Sequence, residues 1–177
     1  MKNLVIIRHA KSSRDNPVLP DQERPLNPRG KRDAPFMGQI LLSRGLTPDL
    51  IITSPAKRAR KTAKLVAAAV GYPADGILED PRLYLHGVPV LMDLVAALPD
   101  ATNRVYLVGH NPDFTELVNL LTDQDVANVP TCGVASIEFD LDAWAHVGTG
   151  LGRLALFDYP KRHRDAAGPG GPHPSSD

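Results

Sequence analysis

The chain has 177 residues, of which 42% are hydrophobic, and its formal net charge is zero because 20 basic side chains balance 20 acidic ones. This length allows one domain with a sizeable core, and the neutral balance excludes a global field that would attract nucleic acid or anionic lipid. The single cysteine, Cys132, excludes an internal disulfide framework. The apolar run Leu4–Ile7 is too short for a signal peptide or a membrane span, so we expect a cytoplasmic protein.

Short apolar runs predict the strands. Residues 4–7, 50–52 and 105–108 are rich in branched side chains and lack polar alternation, which is typical of strands buried on both faces of a parallel sheet. Two later runs, 134–140 and 153–157, predict further strands.

Helical patterns lie between these strands. The first helix is expected to run to about Arg44 and to end at Gly45, and Pro35 inside it predicts a break near Asp33. A further helix is expected over residues 88–98.

Two other helices have the same predicted start. Ser54-Pro55 and Asn111-Pro112 each offer an N-cap residue followed by proline as the first helical residue. The helix from Pro55 is expected to stop at Gly71.

This alternation predicts an α/β domain with three layers, in which helices cover both faces of a mostly parallel central sheet. We expect the domain to span residues 1–160. From Lys161 onward the chain has almost no apolar residue, so residues 161–177 are predicted to be a disordered tail.

Ligands of open α/β sheets bind beyond the carboxyl ends of the strands. The first strand ends at Arg8-His9, the second leads to Arg58, and the third ends at His110. Two histidines and two arginines are therefore expected at one edge of the sheet.

The helix that contains Arg58 begins with an unusual concentration of positive charge. Lys57, Arg60 and Lys61 also lie in its first turns, although a helix N-terminus is already partially positive. A solvated basic face and an anion-binding site both fit this pattern.

Three segments resemble the motifs of the histidine phosphatase superfamily. LVIIRHA (residues 4–10) is similar to its first block, whose usual form is Arg-His-Gly, so Ala10 takes the place of a glycine. SPAKRARKT (54–62) and GHNP (109–112) resemble its second and third blocks, in the same order. The compact length is most similar to the SixA-like phosphohistidine phosphatase branch. The resemblance implies a phosphoglycerate mutase-like fold without a large helical cap insert.

The resemblance also implies roles for four residues. His9 would be the nucleophile that forms a phosphohistidine intermediate. Arg8 and Arg58 would clamp the phosphoryl oxygens, and His110 would donate a hydrogen bond to one of them. No metal and no other cofactor is implied, since cationic side chains hold the phosphoryl charge.

Residues next to the motifs complete the candidate site. Four of them are candidates for contact with phosphate or substrate: Lys11, Ser12, Arg24 and Asn111. Glu79 and Asp80 are candidate proton donors, although exposed turn carboxylates are an equal interpretation.

The uncertain proton donor favours one class of substrate. A sugar alkoxide needs a proton in order to leave, whereas a protonated imidazole departs readily. We therefore expect a phosphohistidine protein as substrate and partner. The alternatives are a broad small-molecule phosphomonoesterase on the same scaffold and a non-catalytic module that binds phosphate or phosphoproteins.

Overall fold

The computed structural model describes residues 1–166, in which six strands form one mixed sheet. The strands are β1 (Lys2–Arg8), β2 (Leu50–Thr53), β3 (Leu78–Glu79), β4 (Arg104–Gly109), β5 (Val134–Phe139) and β6 (Arg153–Asp158). Their order across the sheet is β3-β2-β4-β1-β5-β6. The first four of these strands pair in parallel, whereas β5 is antiparallel to both of its neighbours.

Helices pack on both faces of this sheet. They are α1 (Pro28–Ser43), α2 (Lys57–Val70), α3 (Val88–Ala96), α4 (Asp113–Thr122) and α5 (Pro160–Ala166). Leu4 and Ile6 of β1 join the core beneath α3 and α4, whereas Val5 and Ile7 join the core beneath α1 and α2. Successive strand side chains point to opposite faces, so one continuous apolar strand contributes to two cores. The prediction of a three-layer α/β fold is confirmed, and residues 1–166 contain no large helical cap insert.

The strand register determines where the functional residues emerge. Arg8 at the end of β1 pairs with Gly109 at the end of β4, and Thr53 of β2 pairs with Val108 of β4. Three parallel strands therefore end side by side, and the residues after them share one edge of the sheet.

The predicted break in α1 is wrong, because α1 continues through Pro35. Proline removes one backbone donor, which leaves the carbonyl of Lys31 without its helical partner. Lys31 is exposed, so water can hydrate this carbonyl. Met37 and Leu41 continue the buried face of the helix beyond the proline and hold it against the core.

The predicted starts of α2 and α4 are also wrong, because α2 begins at Lys57 and not at Pro55, and α4 begins at Asp113 and not at Pro112. The hydroxyl of Ser54 accepts a hydrogen bond from the amide of Ala56 at 3.2 Å, which makes a turn before the helix. Ser54 is fully buried and also contacts His110, so its side chain is used in the site.

The predicted disordered tail is wrong for residues 161–166, which belong to α5. Arg164 of this helix donates to the buried carboxylate of Asp33 at 2.9 Å, and His163 contacts Asp158 at 2.8 Å. These polar contacts stabilise a segment that has little apolar surface. Residues 167–177 lie outside the described residues.

Within residues 1–166, none of the helices combines the length and the apolarity that a membrane span requires.

Gly38 allows α1 to lie close to α2, and this contact provides a test of the packing. A Cβ atom at Gly38 would lie 2.6 Å from the Cβ of Ala69 and 3.2 Å from the carbonyl oxygen of Val66. Helix propensity alone predicts that Gly38→Ala raises the free energy of unfolding by about 1 kcal/mol. We expect the opposite, a decrease of about 1–3 kcal/mol, because the helices must separate. Urea unfolding measures the difference.

The control for this test is Gln39→Ala, at an exposed position of the same helix. This change is expected to leave the free energy of unfolding within about 0.5 kcal/mol of the wild type. A Gly38→Ala variant that is more stable than the wild type would contradict the close packing of α1 and α2.

Candidate active site

A cavity of about 750 Å³ opens at the carboxyl ends of β1, β2 and β4. Its cationic lining residues are Arg8, Lys11, Arg14, Arg24, Arg29, Arg58 and Lys161. His9 and His110 also line the cavity, and Asp21 is the one carboxylate that does so among the described residues. A cavity of this composition favours anions.

His9 is held at the end of β1 by its backbone. Its amide donates to the carbonyl of Gly109 at 3.0 Å, and its carbonyl accepts from the amide of Cys132 at 3.0 Å. The imidazole is 7% exposed, and its Nδ1 lies 2.8 Å from the carbonyl oxygen of Ala10. A carbonyl can only accept, so Nδ1 carries the proton and Nε2 keeps its lone pair.

Ala10 fits the position where the family has glycine. Its φ is not among the positive values found in the chain, so its methyl group meets no backbone strain. Its amide donates to the hydroxyl of Thr62 at 3.0 Å, and that hydroxyl donates to the carbonyl of Arg58 at 2.7 Å. These bonds connect α2 to the segment that follows β1.

Arg58 of α2 connects the two imidazoles and is 4% exposed. Its Nε donates towards Nε2 of His9 at 3.4 Å, and its Nη2 lies 3.4 Å from Nδ1 of His110. On the other side the guanidinium donates to the backbone oxygen of Asp21 at 2.6 Å and to its Oδ2 at 2.9 Å. The orientation of Arg58 is therefore determined before any substrate binds.

His110 lies beside His9, with 5.2 Å between the ring centroids. Its Nε2 is 2.8 Å from the hydroxyl of Ser54, and the ring of Tyr84 packs edge-on against it with the centroids 5.1 Å apart. The guanidinium of Arg58 can only donate, so Nδ1 of His110 is the acceptor and the ring proton lies on Nε2, which donates to the hydroxyl of Ser54.

The surroundings of both histidines favour the neutral imidazole. Burial lowers the pKa of His9 to about 3, although the hydrogen bond to the carbonyl of Ala10 raises it. The charges of Arg58 and Arg8 lower this pKa as well. Burial and the charge of Arg58 also lower the pKa of His110 to about 3. Both rings are therefore uncharged at neutral pH, and Nε2 of His9 keeps its lone pair, which accepts the long 3.4 Å contact from Nε of Arg58.

Asp21 is a site residue that the sequence did not reveal. Its Oδ2 accepts from Arg58 and from the hydroxyl of Tyr84, and its Oδ1 accepts from Arg24 at 3.2 Å. Burial alone would raise the pKa of Asp21, but the hydrogen bonds from Tyr84 and Arg58 outweigh it and hold the pKa well below its usual range. The segment DQE around Asp21 contains no motif, and only the spacing to Arg24 hints at an ion pair.

The structure brings the other predicted cationic and polar residues to the same cavity. They are Arg8, Lys11, Ser12, Arg24 and Asn111. Nη1 of Arg8 donates to the carbonyl of Val129 at 3.0 Å, and Nη1 of Arg24 donates to the hydroxyl of Ser12 at 2.7 Å. The side-chain Nδ2 of Asn111 donates to the same Val129 carbonyl at 2.9 Å.

The two predicted proton donors do not line this cavity. Glu79 lies 3.7 Å from Arg60 at the surface, and Asp80 pairs with Arg82 at 2.7 Å. In the part of the chain that the structure describes, no group of three or more His, Cys, Asp or Glu side chains is arranged to hold a metal ion.

The sequence is similar to those of known proteins. A model of the histidine phosphatase superfamily (branch 1) matches residues 4–84. An uncharacterized protein of Mycobacterium tuberculosis (strain H37Rv) is 31% identical over 165 residues, which cover 88% of this chain and 100% of that protein.

Among the solved structures that share the fold are two candidate phosphohistidine phosphatases named SixA. The structure from Agrobacterium tumefaciens has a TM-score of 0.76 and 27% identity, and the match covers 90% of this chain and 98% of that one. The structure from Nakamurella multipartitia has a TM-score of 0.73 and 29% identity, with 90% and 96% of the two chains covered.

The buried histidines predict how stability depends on pH. Below pH 6.5 the unfolded chain protonates these imidazoles, whereas the folded chain keeps them neutral down to about pH 3. Unfolding then takes up protons, so the free energy of unfolding decreases as the pH falls from 6.5 towards 4, and this loss is absent above pH 6.5. Each histidine contributes a slope of about 1.4 kcal/mol per pH unit. Urea unfolding at several pH values measures the total slope.

His110→Gln removes one of the two groups and is expected to reduce this slope by about 1.4 kcal/mol per pH unit. His146→Gln changes an exposed histidine and is the matched control, for which we expect the wild-type slope. An unchanged slope in His110→Gln would show that this imidazole is not held neutral in the folded protein.

Proposed function

Since the chain belongs to the histidine phosphatase superfamily, in its SixA-like branch, we propose that it hydrolyses phosphohistidine on a protein through a phosphoryl intermediate on His9. Membership of this family supports a phosphatase. One observation supports phosphohistidine as the substrate. His9 is buried and neutral, and its Nε2 lone pair faces a cationic cavity. Asp21, which among the described residues is the one carboxylate that lines this cavity, is ionised.

In the first step Nε2 of His9 attacks the phosphorus atom of the substrate. The bond from Nε2 to phosphorus forms as the bond from phosphorus to the substrate imidazole breaks. Arg8 and Arg58 donate to the phosphoryl oxygens. His110 donates to them as well once the phosphoryl group takes the place of Arg58 at Nδ1, because the hydroxyl of Ser54 can then turn and donate to Nε2. Removing one such donor typically costs about 2.7–4 kcal/mol of transition-state stabilisation.

In the second step water attacks the phosphorus atom of phosphorylated His9. The bond from Nε2 to phosphorus breaks, the water oxygen becomes part of dihydrogen phosphate, and His9 returns to its neutral form. The contact between Nδ1 of His9 and the carbonyl of Ala10 holds the ring in one orientation through both steps.

The state of Asp21 supports phosphohistidine as the substrate class. An alcohol leaving group must receive a proton, and an ionised carboxylate with a lowered pKa cannot donate one at neutral pH. The imidazole of phosphohistidine leaves as a neutral ring once its other ring nitrogen is protonated, and water supplies that proton near neutral pH because the pKa of an imidazole is about 6.5, so no donor from the enzyme is needed. The partner in this proposal is a phosphohistidine protein, and the cytoplasmic location stays a prediction.

The role of His9 is tested with His9→Asn. We expect hydrolysis of a phosphohistidine peptide to fall at least about 10³-fold, because asparagine cannot accept the phosphoryl group. Rapid mixing with ³²P-labelled substrate should trap an acid-labile, alkali-stable phosphoenzyme in the wild type and none in the variant.

The matched control is His146→Asn, which changes an exposed histidine outside the cavity and should leave the rate unchanged. Full activity of His9→Asn would refute the covalent mechanism. Phosphate binding without turnover in the wild type would favour the non-catalytic module.

The substrate class is tested with a series of leaving groups. At equal concentration we expect the phosphohistidine peptide to react fastest, p-nitrophenyl phosphate more slowly, and 3-phosphoglycerate at least about 10²-fold more slowly than the peptide, since proton donation typically contributes 10²–10⁴-fold. Release of inorganic phosphate measures all three rates. Efficient hydrolysis of 3-phosphoglycerate with the peptide left intact would favour the small-molecule phosphomonoesterase.

A further inference from the structure

The cavity that His9 and His110 line is called the catalytic cavity below. A second positively charged surface lies outside it, on the solvent side of α1 and α2. We call it the basic face, and it consists of Lys31, Lys57, Arg60, Lys61 and Lys64. These residues line a shallow depression of about 390 Å³. The four lysines are exposed, and the Arg60 side chain is 42% exposed.

The charges of the basic face repel one another in the folded protein. Lys57, Lys61 and Lys64 are three or four residues apart on α2, so they are neighbours on the helix surface. Lys57 also lies in the first turn, where the helix dipole disfavours cations, and α2 contains no acidic residue that could offset these charges. Within residues 1–166, Arg60 is the member of the face with a carboxylate in ion-pair range, Glu79 at 3.7 Å.

The basic face adjoins the catalytic cavity. Arg58, one residue after Lys57, extends from α2 into that cavity. Arg24 also lines the cavity, whereas the next two residues, Pro25 and Leu26, line the depression of the basic face. A protein that inserts a phosphohistidine into the cavity therefore has this surface beside its own.

We propose that the basic face binds an acidic surface of the protein substrate beside its phosphohistidine, an inference that rests on the proposed function. Opposite charges accelerate encounter and fix the orientation of two proteins, so the face raises kcat/KM without taking part in the chemistry. The face has no aromatic side chain on which the bases of a nucleic acid could stack. Acidic side chains of a folded protein fit it better.

The test uses two phosphohistidine peptides of the same length. One has aspartates and glutamates on both sides of the modified residue, and the other has asparagines and glutamines in their place. At low ionic strength we expect the wild type to hydrolyse the acidic peptide with about tenfold higher kcat/KM. Lys57→Glu/Lys61→Glu should lose this preference and keep the wild-type rate on the amide peptide.

A second double variant controls for net charge. Arg32→Glu/Arg44→Glu causes the same change in charge at exposed positions that line neither cavity. It is expected to keep the preference for the acidic peptide. An equal loss of this preference in both double variants would show an effect of overall charge. A lower rate on the amide peptide in Lys57→Glu/Lys61→Glu would show damage to the catalytic cavity. Either result overturns the proposal.

Binding of the unphosphorylated peptides separates docking from catalysis. If the wild type hydrolyses neither phosphohistidine peptide, the proposed function fails, but fluorescence anisotropy still tests the face. Tighter binding of the acidic peptide that is lost in Lys57→Glu/Lys61→Glu supports docking. Equal binding of the two peptides, or tighter binding of a single-stranded RNA of matched charge, contradicts it.

Discussion

In the parallel pairing of β1 and β2 with β4, three strands end side by side, because Arg8 pairs with Gly109 and Thr53 with Val108. This register places the segments after the strands within reach of one another although they are far apart in sequence. The backbone of His9 bonds to Gly109, and Thr62 of α2 binds the amide of Ala10. The rest of the catalytic cavity depends on this arrangement, since a one-residue slip would reverse the side chains of β1 between the two cores.

Burial and positive charge act together on the two histidines. An imidazole taken out of water loses the hydration of its charged form, and nearby arginines disfavour the same form. In the proposed function His9 is thus a neutral nucleophile, within a cavity whose charge attracts a dianionic phosphoryl group. Asp21 offsets part of the positive charge and orients Arg58 with two bonds. The same carboxylate is ionised, and in our proposal this matches a leaving group that needs no proton from the enzyme.

The chain has no net charge, but α2 carries positive side chains on both its buried and its exposed side. Its buried side directs Arg58 to the catalytic cavity, and its exposed side carries the lysines of the basic face. Helical periodicity separates the two sets, because positions 57 and 58 point about 100° apart. In our proposals one helix thus serves the chemistry and the recognition of the protein that carries the phosphohistidine.

The alternation of strands and helices, and the position of His9, Arg58 and His110 at one edge of the sheet, could be predicted from the residues alone. Buried apolar runs locate the strand ends, and ligands bind beyond them. Only the tertiary structure showed that Asp21 holds Arg58 and that Ser54 contacts His110 instead of beginning a helix. Local patterns specify elements and their periodicity. Contacts between loops depend on how distant segments pack, and this packing leaves no signal in the residues around either partner.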